Sequence, residues 1–128
     1  MIIRPACMEA LLDMGKALGR VEEHMDRVLG EDASKEWQLA DYWAGRLRAQ
    51  FDEMRELCPP SKYAKRTDSP EDRLDNNLPF LHTAFRVKDL LSAQMVFNRL
   101  EGYLVEWIDD MVFGQPERVA RSRDAVTR

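Results

Sequence analysis

Two cysteines, two histidines and one short run of cations are the groups in this 128-residue chain whose types could do chemistry. Cys7 and Cys58 could ligate a metal as thiolates or bridge to each other. His24 and His82 could ligate or move protons. Lys62, Tyr63, Lys65 and Arg66 place three cations around one aromatic ring, a grouping able to hold phosphates and stack a base. The spacing narrows these options. Neither histidine stands in Glu-x-x-His or His-Glu-x-x-His, the patterns that bring two ligands to one helical face, so no metal is expected. No Gly-x-Ser-x-Gly elbow is present, and nothing pairs Ser34, Ser61, Ser69 or Ser92 with a histidine, so nucleophilic catalysis has no visible constellation. Gly15 to Gly19 has Gly-x-x-x-Gly spacing without the strand and loop of a phosphate cradle; its expected use is close approach of a neighbouring helix. The chain therefore reads as a non-enzyme that carries no cofactor.

The elements that must position these residues show two matching heptads. Cys7, Leu11, Met14, Leu18, Val21, Met25 and Val28 alternate steps of four and three, and so do Trp37, Ala40, Ala44, Leu47, Phe51, Met54 and Cys58. Each set is a narrow apolar stripe on a helix. A turn at Gly30-Glu31-Asp32 would fold the helices antiparallel and pair the stripes in reverse order, from Val28 with Trp37 to Cys7 with Cys58. Facing thiols could bridge, but in a reducing cytoplasm the expectation is two buried, reduced cysteines. His24 is expected beside the seam among acidic neighbours and His82 on a helix flank, both partly solvated. Asp52, Glu53 and Glu56, spaced to meet Arg48 and Arg55 on the same helix, read as a solvated face.

Pro5 suits a first helical position and Gly30 a left-handed stop, while Asp32 or Ser34 would cap the second helix and Pro59-Pro60 must end it. Residues 61–68 lack periodicity and read as a loop across one end. Ser69-Pro70-Glu71-Asp72 is a helix start with a hydroxyl cap and acids at the positive end of the dipole. Asn76-Asn77-Leu78-Pro79 should break that helix, because an interior proline costs about 3 kcal/mol. A long helix from Pro79 to Phe113, about 52 Å at the usual rise, would follow and stop at Gly114. Its apolar face rotates: Phe80, Ala84, Val87 and Leu91 lie nearly half a turn from Phe97, Leu100, Leu104, Trp107 and Met111. A straight helix would give one half to a second subunit; the other possibility is a break within 88–95. The first is preferred.

These signals predict an all-α fold, an antiparallel helical hairpin completed by a short helix and a long C-terminal helix into a three- or four-helix bundle. Residues 1–115 form one domain, and 116–128 a frayed or disordered basic tail with Arg118, Arg121, Arg123 and Arg128. No apolar run reaches the ~20 residues of a membrane span, so a cytoplasmic protein away from membranes is expected. A net charge of −4 gives no global attraction to nucleic acid. The reading is a protein–protein interaction module (adaptor, chaperone or inhibitor), homodimeric, docking on another protein through Tyr103, Leu104, Trp107, Ile108 and Met111, since Trp and Tyr dominate interface energetics. The alternative is an accessory nucleic-acid binder using Lys62, Tyr63, Lys65, Arg66 and the arginine tail.

Overall fold

A computed structural model of the chain describes residues 3–30, 33–62, 64 and 68–113, and all regular structure among them is helical. Four helices follow one another: α1 Pro5–Arg27, α2 Ala33–Leu57, α3 Pro70–Arg86 and α4 Leu90–Phe113. α1 packs on α2, α2 on α3 and α3 on α4. Each runs antiparallel to the one before, making an up-and-down bundle around a single core. At one end lie the start of α1, the end of α2, the start of α3 and the end of α4. The α1–α2 and α3–α4 turns lie at the other.

The α1–α2 hairpin follows the heptads. All seven stripe residues of α2 are buried, and on α1 every one is buried except Leu11, which packs partly against the core. The register is fixed covalently, for Cys7 and Cys58 form a disulfide with Cα atoms 4.9 Å apart. The expectation of two reduced thiols is overturned by the geometry that paired them: facing seam positions in the last layer of an antiparallel hairpin hold two cysteines within bridging reach. The sulfurs sit in the core, Cys7 Sγ being 4.0 Å from Met111 Sδ. Gly30 is not a left-handed stop, since no described glycine has positive φ. The end of α1 closes instead through Val28 N–H to the Met25 carbonyl and Gly30 N–H to that of Arg27. Ser34 lies inside α2, and Asp32 lies outside the described residues. Gly15 and Gly19 face solvent with open space where a Cβ would stand, so no helix approaches them.

α3 starts as its sequence signals. Ser69 Oγ accepts from Asp72 N–H at 3.1 Å, and Pro70 takes the first turn. The expected break at Pro79 does not occur, and α3 runs through it to Arg86. A proline there removes the N–H that would reach the Asp75 carbonyl. Arg48 of α2 lies 3.5 Å from that oxygen and donates to it, while also holding the Asp75 carboxylate at 2.6 Å. A donor from the neighbouring helix thus replaces the one the proline lacks.

The break falls eight to ten residues later, at 87–89. Asp89 N–H reaches the Ala84 carbonyl at 2.9 Å and Lys88 N–H that of Phe85 at 3.2 Å, a Schellman stop with Lys88 in the left-handed position at φ 58°. Asp89 then caps α4, accepting from Ser92 N–H at 3.1 Å and from the Ser92 hydroxyl at 2.7 Å. The single 79–113 helix is therefore two antiparallel helices. Their turn absorbs the rotation of the apolar face, which removes the reason for assigning half of it to a second subunit.

Candidate functional site

Aromatic and aliphatic residues of α4 were the sequence's candidate docking surface, and the bundle uses them internally. Leu104, Trp107 and Met111 are buried, Tyr103 and Ile108 half-buried. Trp107 stacks edge-on against Phe51 with centroids 6.1 Å apart, and its Nε1–H donates to the Pro59 carbonyl at 3.0 Å. Arg73 of α3 covers the Tyr103 ring at 5.5 Å. A stripe this wide was legible as burial on more than one side, and both sides lie within one chain. It is core, not a free docking face.

Of the basic cluster, Lys62 is described, and Tyr63, Lys65, Arg66 and the arginine tail lie outside the described residues. The chain around Lys62 is tied to the bundle. Lys62 N–H donates to Asp110 Oδ2 at 2.9 Å, and Ser61 N–H to Glu71 Oε2 at 3.0 Å. Glu71 is itself buried at the N-terminal end of α3, where the helix dipole favours its charge.

Both histidines pair with carboxylates of α2. His24 Nδ1 meets Glu36 Oε2 at 2.5 Å with only 8% of the residue exposed, so it is buried and reaches across the hairpin instead of to its acidic neighbours. His82 Nδ1 pairs with Asp41 Oδ1, whose other oxygen lies 4.0 Å from Arg86 Nε. Arg48 and Arg55 likewise reach beyond their own helix to Asp75 and Asp72 of α3. They flank the buried Phe51 ring at 5.7 and 5.4 Å, so this face of α2 is a joint with α3. No group of three or more His, Cys, Asp or Glu among the described residues could hold a metal.

Two features at the turn end remain available to a partner. The first is a cleft of about 200 Å³ between the N-terminal half of α2 and the end of α3, with Ser34, Trp37, Gln38 and Asp41 on one wall. Phe85, Arg86 and Lys88 form the other. The second is a strip of exposed apolar side chains on the α3–α4 hairpin: Phe80 (59% exposed), Val87 (67%), Leu91 (69%) and Met95 (49%). Phe80 and Val87 share a face of α3 two turns apart, as Leu91 and Met95 do one turn apart on α4. The two pairs lie on the two consecutive helical arms of one hairpin.

No protein-family model, curated protein or solved structure matches the chain. Function is therefore argued from these two features. Sequence reasoning named Phe80, Val87 and Leu91 as one side of a helix but assigned the interface to the opposite half. It passed over the cleft because its walls come from residues nearly fifty positions apart. The local signal beside it is Asp89-x-x-Ser92, which caps the start of α4 just past the cleft.

Proposed function

We propose that the protein is a non-enzymatic interaction module, a disulfide-clamped helical bundle that docks on another protein. One observation carries this reading: four large apolar side chains, Phe80, Val87, Leu91 and Met95, stand exposed on one hairpin. Singly scattered apolar residues need no explanation, whereas a grouped set on a folded domain marks a contact surface. The side chains are carried by regular helices, so a partner would meet a preformed face and pay little ordering entropy. The cysteine chemistry supports a place of work too. A disulfide closing the main hairpin belongs to an oxidising compartment, which replaces the cytoplasmic expectation in this proposal. No described helix is long and apolar enough to cross a membrane.

The test is recovery of partners from host lysate by the tagged protein and by a Phe80→Asp/Leu91→Asp variant, with and without nuclease. Both positions are exposed, so the variant keeps its helical circular dichroism. The expected result is a stoichiometric protein that survives nuclease and is lost with the variant. Recovery that collapses with nuclease and ignores the variant would transfer the function to nucleic acid. Light scattering on both proteins separates a second copy of the chain from a foreign partner.

A further inference from the structure

α1 and α4 border each other without the close backbone packing that joins each helix to the next in sequence. Two observations fix how they lie. Cys7 Sγ touches Met111 Sδ at the clamped end, and the charge of Glu22 bears on Glu101 further along. Between those points each helix turns one stripe to the seam. On α1 it is Met8, Leu11, Gly15 and Glu22, at steps of three, four and seven. On α4 it is Val112, Ile108, Val105 and Glu101, at steps of four, three and four. Leu11 and Ile108 are half-buried against the core, while Met8, Val105 and Val112 are exposed. Gly15 has open space where a Cβ would stand. The seam is therefore a groove with an apolar floor, exposed apolar walls and a glycine trough in the α1 side.

Its charge is negative. Asp26 and Asp109 are exposed one turn along from Glu22 and Val105, so four carboxylates border the groove, while Arg4, one turn before Met8, is the one cation on the same lines among the described residues. Arg20 and Arg27 of α1 both go to Glu23, and Glu22, Asp26, Glu101 and Asp109 have no ion pair among the described residues. What fits this groove is a segment that is basic and carries small apolar side chains.

Such a segment starts at its mouth. Residues 114–128 follow α4 at the clamped end and hold Arg118, Arg121, Arg123 and Arg128 against Glu117 and Asp124, with Val119 and Val126 seven positions apart. Phe113 lies about 18 Å along α4 from Glu101, and fifteen residues span about 22 Å at helical rise and more when extended, so the last arginines reach the acid pair.

We propose that residues 114–128 lie in the α1–α4 groove, their arginines on Glu22 and Glu101 and their valines over Leu11, Gly15 and Val105. This contact is separate from the strip on the α3–α4 hairpin and does not depend on it.

The test is methyl and amide NMR on the full, oxidised chain. Nuclear Overhauser contacts from the Val119 and Val126 methyls to those of Leu11, Val105 and Val112 are expected, and a mixture of labelled and unlabelled chains should place them within one molecule. Replacing all four arginines (Arg118→Gln, Arg121→Gln, Arg123→Gln, Arg128→Gln) should remove these contacts, move the amides of 8–22 and 101–112 and raise the titration midpoint of Glu101, with 34–58 unchanged. A free peptide of residues 114–128 added to that variant should return the amide shifts saturably. Gly15→Leu, for which the open groove has room, should remove the contacts with every arginine in place. Absence of the contacts in the unaltered chain, contacts between copies instead of within one, or contacts that survive either Gly15→Leu or loss of the arginines would each overturn the proposal.

Discussion

Gly15 and Gly19 sit mid-helix on the solvent face of α1, with nothing within 4 Å of where a Cβ would be. Glycine there only adds freedom to the unfolded chain, so Gly15→Ala and Gly19→Ala should each stabilise the fold by about 0.5–1 kcal/mol, read from urea unfolding. A loss of stability would mean that a helix does approach that face. Two carboxylates, Asp89 at the cap of α4 and Glu101 within it, are shifted in opposite senses. Hydrogen bonds from the Ser92 hydroxyl and backbone hold Asp89 below the ordinary carboxylate range. Its contribution is present above the unfolded pKa and is lost as pH falls through the lower folded one. Partial burial and then the charge of Glu22 push Glu101 up. Folding disfavours its charged form, so it contributes most at low pH and this is lost as pH rises through the raised folded value. Glu101→Gln should therefore raise Tm at neutral pH and leave it nearly unchanged below the carboxylate range. An equal gain at both pH values would assign the effect to something other than charge.

At the scale of elements, α3 tolerates Pro79 because α2 supplies a donor. Arg48→Ala should cost more when Pro79 is present than in a Pro79→Ala background, where the Asp75 carbonyl regains its own helical partner. A double-mutant cycle on the four proteins should give a coupling of about 0.5–1 kcal/mol. Additivity would show that Arg48 serves only its ion pairs. This joint also explains what could be read from the sequence. Stripe residues such as Phe51 and Met54 announce their burial through local periodicity, and Ser69-Pro70 announces its cap through residue type. The survival of α3 past Pro79 depends on a guanidinium from another helix, which no local pattern encodes. The true break uses lysine where glycine is the usual signal, so only the rotated apolar face pointed to a break near 88–95, and the cleft beside it was illegible. Trp107 was legible as a buried type, yet only packing decides whether burial comes from its own chain or from a partner.

In the whole molecule, one covalent bond closes the α1–α2 hairpin across a sequence separation of 51 residues. Chain entropy assigns such a closure a stabilisation of about 2–4 kcal/mol. Reduction, or Cys7→Ser/Cys58→Ser, should lower the free energy of unfolding by that amount while the helical signal persists. Unchanged stability in reductant would show that packing of the heptad seam alone holds the hairpin. The same up-and-down order has a further consequence. Cys7 and Met111 touch, so the first and last helices finish side by side at the clamped end. The four elements thus form a nearly closed loop of chain, and where that loop is opened is a matter of connectivity, not of packing. A circular permutant joined from the end of α4 to the start of α1 and cut in the 28–32 turn should keep every helix–helix interface and still form its disulfide.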